Sequence, residues 1–133
     1  MDDLSEIEKK KLDFVSRNTL CRSLAGNRCD YLTITTRTNV DTVSAKRGVV
    51  ISARVHPGES NSSWMMKGVI DFLISDHPEA QNLRDNFIFK IIPMLNPDGV
   101  INGNYRCSLA GCDLNRRWKN PSQILHPTIF YAK

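Results

Sequence analysis

Residues 48–75, GVVISARVHPGESNSSWMMKGVIDFLIS, decide the fold. Gly48 to Val55 is rich in β-branched and small residues and has no proline, so it reads as a buried strand. Pro57 and Gly58 stop that strand and turn the chain sharply. Ser60 is a good helix N-cap, and the residues after it keep a helical period. Met66, Val69, Ile70 and Leu73 recur at spacings of three and four, which predicts one apolar stripe. His56 then falls at the C-terminal edge of a strand, with Glu59 beside a helix N-terminus. Ligands collect at that edge in open α/β sheets.

His56 and Glu59 offer an imidazole and a carboxylate three residues apart. Zinc accepts both, and a catalytic zinc uses three protein ligands plus water. The same spacing has a plainer use, because a glutamate favours a helix N-terminus on charge alone. The motif is neither H-E-x-x-H nor H-x-x-E-H, since Ser60 follows Glu59.

Upstream, Ser5 to Glu8 forms an S-x-x-E capping box ahead of a charged stretch. The expectation is a helical segment over residues 1–28, running to about Leu24 and stopped by Gly26-Asn27. Asp30 to Thr36 alternates Tyr31, Thr33 and Thr35 against Leu32 and Ile34, as a strand does. Arg37 to Arg47 is polar and reads as a loop. Downstream, His77-Pro78 ends the long helix, Pro78 to Asp85 suits a short one, and Asn86 to Met94 is another apolar strand. From Leu95 to about Leu125 the periodicity fades into turn chemistry. The last residues, HPTIFYAK, open a further helix. Strands and helices in this order make an α/β protein, a mixed sheet with helices on its faces.

The chain has 133 residues, one domain's worth, with 41% hydrophobic and 24% charged residues, as in a globular protein. No apolar stretch approaches a membrane span, and the charged start is unlike a signal peptide, so the cytosol is the default location. Cys21, Cys29, Cys107 and Cys112 form no C-x-x-C pair, and free thiols are expected. The net charge of +4 is uneven. From Gly103 onward five basic residues (Arg106, Arg116, Arg117, Lys119, Lys133) face one acid, Asp113. Such a patch attracts acidic partners, and no nucleic-acid-binding motif accompanies it.

The long loop carries a second set of residues. Asn96-Pro97-Asp98-Gly99 follows a strand directly, and by itself reads as a tight turn in which Gly99 supplies positive φ. Arg106 and the pair Asn115-Arg116 come after it. A guanidinium fork matches a carboxylate, and asparagine adds a donor, although an arginine is also an ordinary surface residue.

Taken in order, ARVHPGESNSSW, PMLNPDGVINGNYRCSLAG and DLNRRW resemble the zinc carboxypeptidase family, and most closely its cytosolic, tubulin-deglutamylating branch. RSLAGN and LHPTIFYAK extend the resemblance from about Leu20 to Lys133. It implies that His56 and Glu59 are two of three zinc ligands. Arg106 is then the residue that steadies the oxyanion, and Asn115 with Arg116 grips the substrate's C-terminal carboxylate. The implied substrates are acidic protein tails, with glutamate removed from tubulin.

The chain also departs from the family. The digestive branch has a charged side chain between the two ligands, where Pro57 and Gly58 stand here. The family's third ligand histidine and its general-base glutamate lie beyond the segment matching HPTIFYAK. The resemblance therefore covers residues 29–133 as the N-terminal half of a catalytic domain, a truncated sheet expected to be inactive alone. His77 and His126 match neither missing group. Two other functions fit the same residues: a non-catalytic fragment that binds acidic C-termini, and a related zinc amidohydrolase of acylated amino acids.

Overall fold

The computed structural model describes residues 2–10, 12–37 and 45–133. Its elements are α1 (Asp2–Lys9), β1 (Val15–Arg22), β2 (Arg28–Ile34), β3 (Arg47–Ser52), α2 (Asn61–Leu73), α3 (Pro78–Asn86), β4 (Phe87–Ile92), α4 (Pro97–Asn102), a 3-10 turn (Leu114–Arg116) and α5 (Pro127–Ala132). The sheet has four strands in the order β1-β2-β4-β3. β1 and β2, and β2 and β4, pair antiparallel, while β3 and β4 run parallel. This is the expected mixed sheet flanked by helices. No helix among the described residues is long and apolar enough to cross a membrane.

The alternation read in β2 is what packs both faces of the sheet. Leu32 and Ile34 join Phe89 and Ile91 of β4 beneath Met66, Ile70 and Leu73 of α2 and Ile7 of α1. Cys29 and Tyr31 point the other way, toward Ile92, Leu95, Leu114 and Ile129. Leu32, Ile34, Ile91, Leu95 and Ile129 are fully buried. Each such side chain contributes about 1.5–3 kcal/mol of transfer free energy. The second cluster bears on the site, because Leu114 anchors the turn that carries Asp113, Asn115 and Arg116.

The structure corrects five local expectations. The helix expected over residues 1–28 ends at Lys9, Ser5 lies inside it, and Val15–Arg22 is a strand. Gly26-Asn27 closes a hairpin instead of a helix: Gly26 takes φ +80°, and Ser23 N donates to Asn27 O at 2.8 Å. A left-handed glycine serves either ending, so the local signal was ambiguous. β3 is an edge strand, and Val50 is 64% exposed. On α2, Val69 is half-exposed, and Ser60 makes no side-chain cap; Ser62 Oγ bonds Glu59 O instead. Finally, Asn96 to Gly99 opens a short helix, with Asn96 as its cap and Pro97 in its first turn. The polar stretch expected as a loop over 37–47 lies largely outside the described residues.

Candidate functional site

β3 and β4 run parallel, so their C-terminal ends lie side by side and each delivers one motif. Ala53 N donates to Ile92 O and Leu95 N to Ala53 O, both at 2.9 Å, which keeps the two chains in step beyond the strands. Asn96 Nδ2 then donates to Val55 O at 3.2 Å, beside His56. Gly99 sits against Pro57: a Cβ there would overlap Pro57 Cγ and come within 2.9 Å of the Asn96 amide. Gly99 is thus required by space, not by positive φ. Asp98 is buried and accepts from Ser23 Oγ, Ala25 N and Asn27 Nδ2, which pins the β1–β2 hairpin to α4.

His56 is buried at the end of this frame. Its Nδ1 lies 3.1 Å from Glu59 Oε1, and its Nε2 lies 3.0 Å from Asp113 Oδ1. Asp113 is the residue that sequence reasoning passed over. Its Oδ1 also accepts from Asn115 N at 2.9 Å, and its Oδ2 accepts from Arg106 Nε at 2.9 Å and Nη2 at 2.8 Å. Burial alone pushes the Asp113 pKa up. The hydrogen bonds from His56, Asn115 N and Arg106, with the charge of Arg106, outweigh it and hold the carboxyl below its ordinary value. An ionised Asp113 accepts only, so it assigns a proton to His56 Nε2. Its one mark in the sequence is that it is the lone acid in the basic stretch from Gly103 onward, which does not name its partner.

Nδ1 is left facing a second carboxylate. In the tautomer protonated at Nε2, Nδ1 presents a lone pair toward Glu59, and a cation between the two would satisfy both. Two ligands at about 2.0–2.2 Å from a tetrahedral zinc stand roughly 3.3 Å apart. The observed 3.1 Å, with one nitrogen and one oxygen donor, fits that requirement. Among the described residues, no group of three or more His, Cys, Asp and Glu side chains is arranged to hold a metal.

The loop bearing Arg106 is fastened to the same turn. Gly58 N donates to Tyr105 O at 2.7 Å, and a Cβ on Gly58 would meet the Tyr105 ring at 2.5 Å and its carbonyl at 2.8 Å. A side chain at 58 would therefore require Tyr105 to move, so a charged residue at that position does not fit this arrangement. Asn115 Oδ1 accepts from Trp118 Nε1 at 3.0 Å, and its amide hydrogens have no partner among the described residues. Arg116 is exposed, and its side chain makes no hydrogen bond or ion pair among the described residues. Of the five expected site residues, then, His56, Glu59 and Arg106 are joined through direct contacts and Asp113, and Asn115 meets Asp113 through its backbone. Arg116 stands three residues along the same turn, with its guanidinium in solvent.

The remaining histidines have local partners. His77 caps α3 by accepting from Glu79 N at 3.2 Å, and His126 Nδ1 accepts from Ser122 N at 3.0 Å. Burial, with Arg117 nearby, lowers the His126 pKa. The four cysteines are free, as expected.

The zinc carboxypeptidase family profile matches residues 1–127. Cytosolic carboxypeptidase 2 of Xenopus tropicalis is 60% identical over 116 residues, covering 86% of this chain and 12% of that protein. Cytosolic carboxypeptidase 1 of Homo sapiens is 52% identical over 126 residues, covering 90% of this chain and 10% of that one. Among solved structures, a metallo-carboxypeptidase from Burkholderia cenocepacia superposes with a TM-score of 0.84 at 34% identity, over 92% of this chain and 33% of that chain. A metallo-carboxypeptidase from Pseudomonas aeruginosa gives 0.82 at 29% identity, over 97% and 34%. The chain spans about a tenth of the length of the curated relatives it matches. The ordered motifs, the mixed sheet and these matches lead to one conclusion: this chain belongs to the zinc carboxypeptidase family, in its cytosolic carboxypeptidase branch.

Proposed function

We propose that this chain supplies the zinc-facing turn and the carboxylate-reading turn of a metallocarboxypeptidase that removes C-terminal residues from acidic protein tails. The observation that carries the reading is the relay Glu59–His56–Asp113–Arg106, which gathers a ligand pair and a fixed cation at one sheet edge. His56 through Nδ1 and Glu59 through Oε1 would hold the zinc. When bound, zinc would lower the pKa of a bound water to about 7 and polarise the scissile carbonyl.

The chain's own groups do the rest. Asp113 keeps the proton on His56 Nε2, so that Nδ1 stays a ligand. It also orients Arg106, whose side chain remains 45% exposed and is free to face a developing oxyanion. A fixed cation in that place typically supplies a few kcal/mol to the transition state. Arg116, exposed and without a side-chain partner among the described residues, and the Asn115 amide take the substrate's terminal carboxylate, which sets exopeptidase action. Glutamate-rich tails such as that of tubulin suit the basic stretch after Gly103, and the relatives' printed name, cytosolic carboxypeptidase, supports a cytosolic setting.

Two ligands hold zinc weakly, so the 133-residue chain alone is expected to turn over little. The test is release of C-terminal glutamate from a polyglutamate-tailed peptide with zinc added, together with titration of that peptide and its C-terminal amide. The reading expects tighter binding of the free acid, dependent on Arg116, and turnover near background. Equal binding of acid and amide would overturn carboxylate capture. Robust turnover lost in His56→Ala would overturn the expected inactivity. A family member that only binds tails gives the same acid preference, and it is told apart by zinc affinity that does not depend on His56.

A further inference from the structure

Arg54 lies between β3 and the His56 turn, and it is the one non-glycine residue with positive φ among those described, at +56°. A residue with a Cβ rarely adopts that conformation, and it persists only where its surroundings over-determine it. The surroundings here are specific. Arg54 Nε donates to Pro57 O at 2.8 Å, and Nη1 donates to Ser63 Oγ at 2.7 Å. Arg54 N donates to Ser62 Oγ at 3.2 Å, and Ser62 Oγ in turn donates to Glu59 O at 2.9 Å. One residue therefore grips the His56–Glu59 turn at Pro57 and the first turn of α2 at Ser62 and Ser63. Glycine takes this backbone freely but carries no guanidinium.

We propose that Arg54 is a positioning residue, whose guanidinium clamps the turn 56–59 against the start of α2 and so sets the approach of His56 Nδ1 to Glu59 Oε1. Its left-handed backbone aims the side chain back over the turn that follows it. The planar fork serves two acceptors at once, which an ammonium on a flexible stem does less well. The proposal rests on the reading of His56 and Glu59 as a zinc pair.

The experiment measures zinc affinity of the full chain by competition with a chromophoric chelator, and urea midpoint without metal, for the parent, His56→Ala, Arg54→Gly, Arg54→Lys and Ser63→Ala. Arg54→Gly relieves the backbone and removes the clamp. The expected result is zinc affinity about 10–100-fold weaker, with the urea midpoint held or raised. Arg54→Lys should fall between. Ser63→Ala should weaken zinc in the parent and add nothing in the Arg54→Gly background. Unchanged zinc affinity in Arg54→Gly, or a parallel loss of affinity and urea midpoint, overturns the clamp. If Arg54→Gly does not fold, unchanged affinity in both Arg54→Lys and Ser63→Ala overturns it. The two failures are separable. A parent whose zinc affinity survives His56→Ala sinks the zinc pair and the clamp with it. A parent that needs His56 but ignores Arg54 sinks the clamp alone.

Discussion

Asp113 and Arg116 stand three residues apart on one turn, and the chain treats them in opposite ways. Asp113 has both oxygens committed, to His56, Asn115 N and Arg106. Arg116 has no partner among the described residues. The division runs through the whole site. His56 is buried and held from both sides, whereas Glu59 reaches it from a side chain that is 53% exposed. Asp113 is tied down on both oxygens, whereas Arg116 and the Asn115 amide, which are proposed to meet the substrate, have no side-chain donor engaged among the described residues. Preorganisation of this kind spends folding energy in advance, so that little rearrangement remains when the ligand arrives.

The tied half should break hardest. Asp113→Ala removes the acceptor of a buried imidazole and the one side-chain partner of Arg106 among the described residues. Zinc affinity, read by chelator competition, should fall about 10–100-fold. Urea denaturation should show a further loss of about 1–3 kcal/mol for the orphaned His56 Nε2. Equal zinc affinity would mean that Asp113 orients nothing. Next comes Gly58→Ala, which drives a Cβ into the ring and carbonyl of Tyr105. It should cost about 1–3 kcal/mol, the range for overpacking. A neutral result would loosen the link between the His56 turn and the Arg106 loop.

Asp30 repeats the Asp113 arrangement inside the scaffold, away from the site. It accepts from Arg17, Thr19 and Arg28. Burial pushes its pKa up, but those hydrogen bonds and the charge of Arg17 win and lower it. A depressed folded pKa gives stability that is present above the unfolded value, about 3.9, and lost as pH falls through the folded one. The urea midpoint should therefore drop on acidification below about pH 4, and Asp30→Asn should flatten that drop. A parent and variant with the same acid limb would remove Asp30 as a cause. The open half should break least. Arg116→Ala should leave stability within about 0.5 kcal/mol, while abolishing the preference for a free C-terminal carboxylate over its amide. A large loss of stability would place Arg116 in the scaffold.

The sequence made some of this legible and hid the rest for physical reasons. The change from strand to helical period across Val55 to Asn61 located β3, the turn and α2, because periodicity and proline-glycine chemistry agree there. Tyr31 and Thr33 against Leu32 and Ile34 gave β2 both its faces, while Thr35 lies just past its end. The first strand was hidden because a charged stretch ending in Gly26-Asn27 has one local meaning for a helix stop and another for a hairpin, and only pairing with β2 decides between them. Asp113 was hidden because its partner His56 is 57 residues away. Arg54 was hidden because a backbone angle leaves no mark on composition. Gly58 and Gly99 were legible as turn residues, but not as positions where another segment occupies the place of a side chain.

The central claim is that Asp113 owns one nitrogen of His56 and leaves the other for a metal. Nitrogen-15 NMR of the His56 imidazole, recorded while zinc is added to the full chain, tests it most directly. The account predicts that Nε2 keeps its proton throughout and that Nδ1 is the nitrogen whose resonance moves to the metal-bound range. A zinc-dependent shift at Nε2, or an imidazole indifferent to zinc, would contradict it.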